Sequence, residues 1–276
     1  MSDSTAPPAR FRATIEYDGT SFHGSQLQPG VRTVQREAED ALGKLFDRPV
    51  RIDLAGRTDA GVHASAQEIA FGAPPAWSPQ ELARALGAIL PDDVAVRKVR
   101  NAAPDFHPRF DAERRRYRYV VTEGSRRRPF LRDGAWIPRW PLDRDALVRL
   151  AAAVAGERSF ERFARAGQPE RGTRCRVASA AWRFDRPPFF FFEIIADRFL
   201  HHMVRYLVGT SVEIAAGRRP FEDFERLLAG EAASRPVFPA PPGGLYLTGV
   251  RYGGEWNSGP GIPWLPAEPP AEGHQT

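Results

Sequence analysis

Asp59 lies in Gly56-Arg57-Thr58-Asp59-Ala60-Gly61-Val62-His63, a segment whose two glycines permit unusual backbone angles and let another chain approach closely. A carboxylate there can act as a base or a nucleophile, and Arg57 and His63 flank it with a phosphate-binding cation and an imidazole. Read alone, an aspartate in such a turn more often accepts backbone hydrogen bonds than performs catalysis. A second candidate is Arg114-Arg115-Arg116-Tyr117-Arg118-Tyr119. In an extended chain Arg115, Tyr117 and Tyr119 share one face, a guanidinium beside two rings of the kind that hold an unpaired base, and Arg114, Arg116 and Arg118 share the other. The alternative is a sheet with tyrosines in its core and arginines in solvent. A third candidate is Arg205, which the pattern places on a helix over 199–215, at the edge of an apolar stripe and over His201. There it can enter a cleft and pair with a carboxylate, or extend to solvent. His201-His202 suggests a metal, but helical neighbours point about 100° apart and no further ligand stands at helical spacing, so no metal site is expected.

The elements that must position these groups follow from periodicity. Residues 11–17 alternate and end at Asp18-Gly19, a strand entering a turn. Thr33 can cap a helix over 34–46, and Ser78-Pro79-Gln80-Glu81 opens another that runs to about Leu90. Strands are expected over 50–54, 67–71 and 94–99, with the Asp59 segment at a strand end, and a boundary falls in the linker at 101–108. The second half repeats the theme, with strands over 115–121, 177–184, 189–196 and 245–251 and helices over 143–155, 199–215 and 221–228. The expected fold is α+β, with mixed or antiparallel sheets and helices on one face. Residues 1–10 are expected to be a disordered lead, 11–105 and 106–252 the two halves, and 253–276 a proline-rich mobile tail without assigned function. Two further loops, 126–128 and 239–242, are places where binding groups can sit.

Composition narrows the partner. Among 276 residues, 39 basic side chains exceed 34 acidic ones, and only Lys44 and Lys98 are lysines. Arginine forks onto phosphate and stacks on bases, although a GC-rich genome also favours arginine codons. The single Cys175 excludes an internal disulfide and a multi-cysteine zinc site, which fits a reducing compartment. The start of the chain lacks the apolar core of a signal or anchor, and 189–195 is far too short to span a bilayer, so a cytoplasmic protein without a membrane association is expected.

Several blocks, in order, resemble the TruA family of tRNA pseudouridine synthases. They are Tyr17-Asp18-Gly19-Thr20 through Gly24, Gln26 and Gln28 to Thr33-Val34-Gln35; AGRTDAGVHA at 55–64; Phe106-His107-Pro108-Arg109-Phe110 with the following Arg-Arg-Tyr-Arg-Tyr; FLHHMVRYLVG at 199–209; and Gly244-Leu245-Tyr246-Leu247. The resemblance implies two pseudo-symmetric α+β halves meeting around a central basic cleft, a homodimer, and a tRNA substrate whose anticodon stem-loop uridines are isomerised without cofactor. It implies Asp59 as catalytic carboxylate, Arg205 as its ion-pair partner, and Tyr117 stacked on the uracil and helping to remove the C5 proton. Arg57 would fill the space of the displaced base, and His63, Arg115, His201 and Leu245 would contact substrate or RNA. Ser25 departs from the tryptophan usual after Gly24, and 234–243 is richer in proline than usual. A non-catalytic tRNA-binding or folding protein is the rival reading. Asp59 argues against it, because a carboxylate in a phosphate-rich cleft repels the ligand. A carboxylate-pair glycosidase needs a second acid that the motif lacks.

Overall fold

In the computed structural model, which describes residues 8–124, 128–165 and 172–262, the first alternating run forms β1 (Ala9–Tyr17). Thr33 accepts the Arg36 N–H and opens α1 (Val34–Phe46), and Asp47 closes it in the left-handed conformation, its N–H donating to Gly43 O. Next come β2 (Ile52–Leu54), β3 (His63–Ala73), α2 (Pro79–Ile89) behind a complete Ser78–Glu81 capping box, and β4 (Val94–Asn101). The second half contains β5 (Arg114–Thr122), α3 (Arg144–Val154), β6 (Gly156–Ser159), β7 (Arg174–Arg186) and β8 (Phe189–Ala196). It continues with α4 (Met203–Ala215), α5 (Glu222–Leu228), β9 (Leu245–Tyr252) and β10 (Glu255–Ser258).

The strands join into one ten-stranded sheet in the order β4-β1-β3-β9-β5-β8-β7-β6, with β2 added to β3 and β10 to β9. All pairs are antiparallel except β3 with β9, a short parallel seam of His63 opposite Tyr246 and Ala64 opposite Leu247. On one side of the seam, β1-α1-β2-β3-α2-β4 lays its strands in the order fourth, first, third, second. On the other, β5-α3-β7-β8-α4-β9 repeats that order, with β6, α5 and β10 as additions. Buried residues of all five helices join a single core cluster that spans both halves. A small separate cluster of Val120, Ala135, Phe191, Tyr246 and Ile262 lies apart from it. The α+β class, with mixed pairing, is as the periodicity predicts.

Three features differ from the sequence reading. Residues 199–202 are not helical: α4 starts at Met203 after a turn in which His202 takes a positive φ of 65°. Leu200 stays in phase with the apolar stripe and is buried, so the pattern does not reveal the break. The start of the expected tail is ordered, because β10 pairs with β9 and Trp256 lies under the Arg116 guanidinium, 5.2 Å from its ring centroid. The remainder of that tail from 263, the lead 1–7, and Arg126 and Arg127 of the loop at 126–128 lie outside the described residues. On β5 both faces are covered. Tyr117 and Tyr119 enter the core, while Arg118, also buried, pairs with Glu193 at 2.7 Å.

Candidate active site

The segment between β2 and β3 is held along nearly its whole backbone. Ala55 N–H donates to Glu68 O at 2.8 Å, and Gln67 makes both amide bonds to Gly56, accepting its N–H at 3.2 Å and donating to its carbonyl at 2.8 Å. Thr58 N–H donates to the Ser25 hydroxyl at 2.9 Å, Ser25 N–H donates to Thr58 O at 3.1 Å, and the Thr58 and Tyr17 hydroxyls share a 2.8 Å bond. Val62 N–H closes the turn on Asp59 O at 3.1 Å. Two glycines make this possible: Gly61 takes φ 75°, and a Cβ on Gly24 would stand 2.8 Å from Thr58 O. The turn therefore projects two side chains from a fixed frame, Arg57 and Asp59.

Asp59 meets four groups from the other half of the chain. Arg205 Nη1 lies 3.1 Å from Oδ2, and His201 Nε2 and His202 Nε2 each lie 3.4 Å from one carboxylate oxygen. The fourth is Tyr117, whose ionisation the Asp59 charge opposes. Arg205 is aimed by its own loop, since its Nε donates to Ala240 O at 2.8 Å and its carbonyl accepts the Ala240 N–H at 2.9 Å. The Asp59 and Arg205 side chains are only 19% and 11% exposed, where an ion pair is screened less than on the surface. Burial lowers the proton affinity of His202, with Asp59 opposing and Arg205 adding to the effect. The ligand atoms of Asp59, His201 and His202 lie within 4.8 Å of one another, a donor set that could hold a divalent ion. Helical spacing did not reveal this set, because the two histidines sit in a turn and the third ligand is remote in sequence. Arg205 already occupies one of its oxygens.

Tyr117 lies opposite Ile194 and Leu247 in the sheet, and its ring meets Phe199 edge-on at 4.9 Å. Its hydroxyl reaches to 3.6 Å from where a Gly56 side chain would begin. Burial, with Tyr17 and Asp59 as neighbours, pushes this phenol well above the usual tyrosine range. Leu245 is buried two residues before Leu247 on β9, opposite Tyr119. Arg57 is exposed and makes no hydrogen bond or ion pair among the described residues.

Besides Leu245, two residues expected at the RNA face are buried. Arg115 is buried, with all five N–H groups given to the carbonyls of Ala55, Arg109, Ala112 and Asp197. His63 is buried at the seam, where its Nδ1 accepts Gly19 N–H at 3.0 Å, its Nε2 stands 2.6 Å from Asp133 O, and its ring stacks on Tyr246 at 4.7 Å. In the other direction, Ser25 and Gln67 belong to the site although their types and spacing do not single them out, and His202, set aside with the rejected metal site, reaches Asp59. For Ser25 the departure after Gly24 was the available signal.

Residues 13–111 and 150–253 match the model of a family described as tRNA pseudouridine synthase. The chain belongs to the tRNA pseudouridine synthase family. Among curated relatives, the tRNA pseudouridine synthase A of Moorella thermoacetica is 39% identical over 243 residues, covering 87% of this chain and 98% of that protein. The tRNA pseudouridine synthase A of Dictyoglomus turgidum is 38% identical over 244 residues, covering 88% and 99%. That of Neisseria gonorrhoeae is 37% identical over 270 residues, covering 95% and 99%. For a tRNA pseudouridine synthase, an isomerase, the division of the match is informative. One matched segment carries Asp59 and the other Arg205, while Tyr117 falls between them.

Proposed function

We propose that this chain isomerises uridine to pseudouridine in the anticodon stem-loop of tRNA, with Asp59 acting at the ribose. The observation that carries the reading is the Asp59–Arg205 pair, 146 residues apart in sequence and 3.1 Å apart in space. The reaction breaks the bond from C1′ to N1, turns the uracil, forms a bond from C1′ to C5, and moves the C5 proton away while N1 gains one. Nothing is oxidised, and no cofactor is called for. A carboxylate paired with a guanidinium can attack C1′ or take a proton beside it, and Arg205 offsets the repulsion between that carboxylate and RNA phosphate. Tyr117 packs on the uracil, and its buried phenol favours a neutral hydroxyl over a phenolate base. Extruding a stacked base costs roughly a few kcal/mol, and the unpartnered Arg57 is the side chain suited to fill the gap. His201, half-exposed beside Asp59, faces the incoming nucleotide. The roles of Arg115 and His63 are to hold the loop and the seam, and Leu245 lines the Tyr117 side of the site. The family resemblance extends the reading to a homodimer, which light scattering of the purified protein checks.

Asp59→Asn tests the reading. It should abolish tritium release from tRNA labelled at uridine C5 and leave tRNA affinity within about threefold, since one neutralised carboxylate does not weaken phosphate contacts. Turnover by the variant at the wild-type rate would remove Asp59 from the chemistry.

A further inference from the structure

Ser25 is fully buried, yet its hydroxyl lies on the turn that carries Asp59. Its hydroxyl also hydrogen-bonds with Tyr17, and three further bonds hold it. Its N–H and its side-chain oxygen bracket both sides of Thr58, the residue before Asp59, at 3.1 and 2.9 Å, and its carbonyl accepts the Gln35 N–H from the first turn of α1 at 2.9 Å. The two backbone bonds are open to any residue at this position. The side-chain bond is not: it needs an acceptor small enough to fit beside Gly24, whose own missing side chain lets Thr58 O approach. A buried N–H without a partner is expensive, so Thr58 would shift toward another acceptor if the hydroxyl were lost. Thr58 also links through its own hydroxyl to Tyr17, and Tyr17 to Gln67 Nε2 at 3.4 Å, the side chain that holds Gly56.

We propose that the Ser25 hydroxyl is a positioning group of this enzyme: by accepting the Thr58 N–H it fixes the direction in which Asp59 leaves the turn, tying the carboxylate to α1. The proposal rests on the assignment of Asp59 to the reaction for its kinetic consequence, but not for its structural one. A turn displaced by part of an ångström still binds RNA, because the surface arginines outside the turn are unaffected, but it presents the carboxylate to C1′ at the wrong angle, and such misplacement is felt in turnover.

The test compares Ser25→Ala, which deletes the acceptor without adding bulk, with Ser25→Thr, which keeps it. Amide exchange at Thr58 should accelerate about tenfold or more in the alanine variant and stay near wild type in the threonine variant. Single-turnover pseudouridine formation should fall about tenfold in the alanine variant, with KM for tRNA within about twofold, and recover in the threonine variant. A melting scan of each variant separates this from general loss of fold. Unchanged Thr58 exchange in Ser25→Ala overturns the proposal whether or not the chain makes pseudouridine, and accelerated exchange with unchanged turnover overturns the catalytic half of it. If the wild-type protein makes no pseudouridine, it is the assigned reaction that fails, and the exchange result still decides the role of Ser25.

Discussion

Arg57 and Arg115 look alike in the sequence, each beside chemistry-bearing residues, and the structure gives them opposite surroundings. Arg57 has no hydrogen-bond or ion-pair partner among the described residues, so Arg57→Ala should change stability by no more than about 0.5 kcal/mol while lowering turnover on folded tRNA. Arg115→Ala removes five hydrogen bonds to four carbonyls, one of them the buried Ala55 O on the Asp59 turn, and should cost about 3 kcal/mol in a denaturant melt. A second residue-scale contrast concerns ionisation. Burial raises Tyr117 well above 10, so its phenol stays protonated through the whole working range. Turnover of the wild type should show no inflection from Tyr117 between pH 7 and about 10. Tyr117→Phe, which keeps the ring and removes the hydroxyl, should lower turnover by roughly a hundredfold if that hydroxyl relays the C5 proton. The pH sign for stability follows from the same burial. Tyr17 is pushed up to about 12, and Tyr119 and Tyr252 are raised as well. The unfolded chain ionises first, so stability is intact below about pH 10 and falls above it, a trend that thermal melts across pH 8 to 11 would show.

At the scale of elements, the caps and the alternation were the legible part. Thr33 and Ser78 with Glu81 each mark a helix start that the structure realises, because a cap is a local bond between a side chain and a backbone only a few residues away. β6 and β10 were missed, for each is four residues long and owes its place to a neighbour, β7 or β9, rather than to its own pattern. The turn before α4 was missed because Leu200 keeps the helical phase, and with it went the recognition that His201 and His202 converge on Asp59. The roles of Ser25 and Gln67 are not legible for a related reason: each acts through hydrogen bonds whose partners lie 33 and 11 residues away. α4 itself carries a testable constraint. It presses against 238–240 at Gly209, where a Cβ would lie 2.3 Å from Phe238 O. Gly209→Ala must push that loop outward and with it Ala240, the residue that aims Arg205. The variant should lose about 1–3 kcal/mol of stability, and its turnover should fall more than its tRNA affinity, as melts and single-turnover assays would report.

Across the whole molecule, the two halves repeat one strand order and meet through a parallel seam only two residue pairs long. So short a ladder is not what unites them. Several further ties across the seam lie at the Asp59 turn and its exit into β3: Arg115 to Ala55 O, Tyr117 against Gly56, Arg205 to Asp59, Pro242 against Gly61, and His63 to Asp133 O and Tyr246. Beneath them a single apolar core runs through both halves, so a chain cut in the linker at 101–108 exposes core surface as well as the β3 edge. The turn that positions Asp59 is thus also the joint, and assembly of the halves and assembly of the site should be one event. Expressed separately, residues 1–105 and 106–276 should each lack a cooperative thermal transition. Expressed together, they should recover both a single transition and pseudouridine formation, because Asp59 and Arg205 can meet only in the reassembled pair. A cooperative melt from the isolated 1–105 fragment would show instead that each half is stable alone and that the joint serves catalysis without holding the fold.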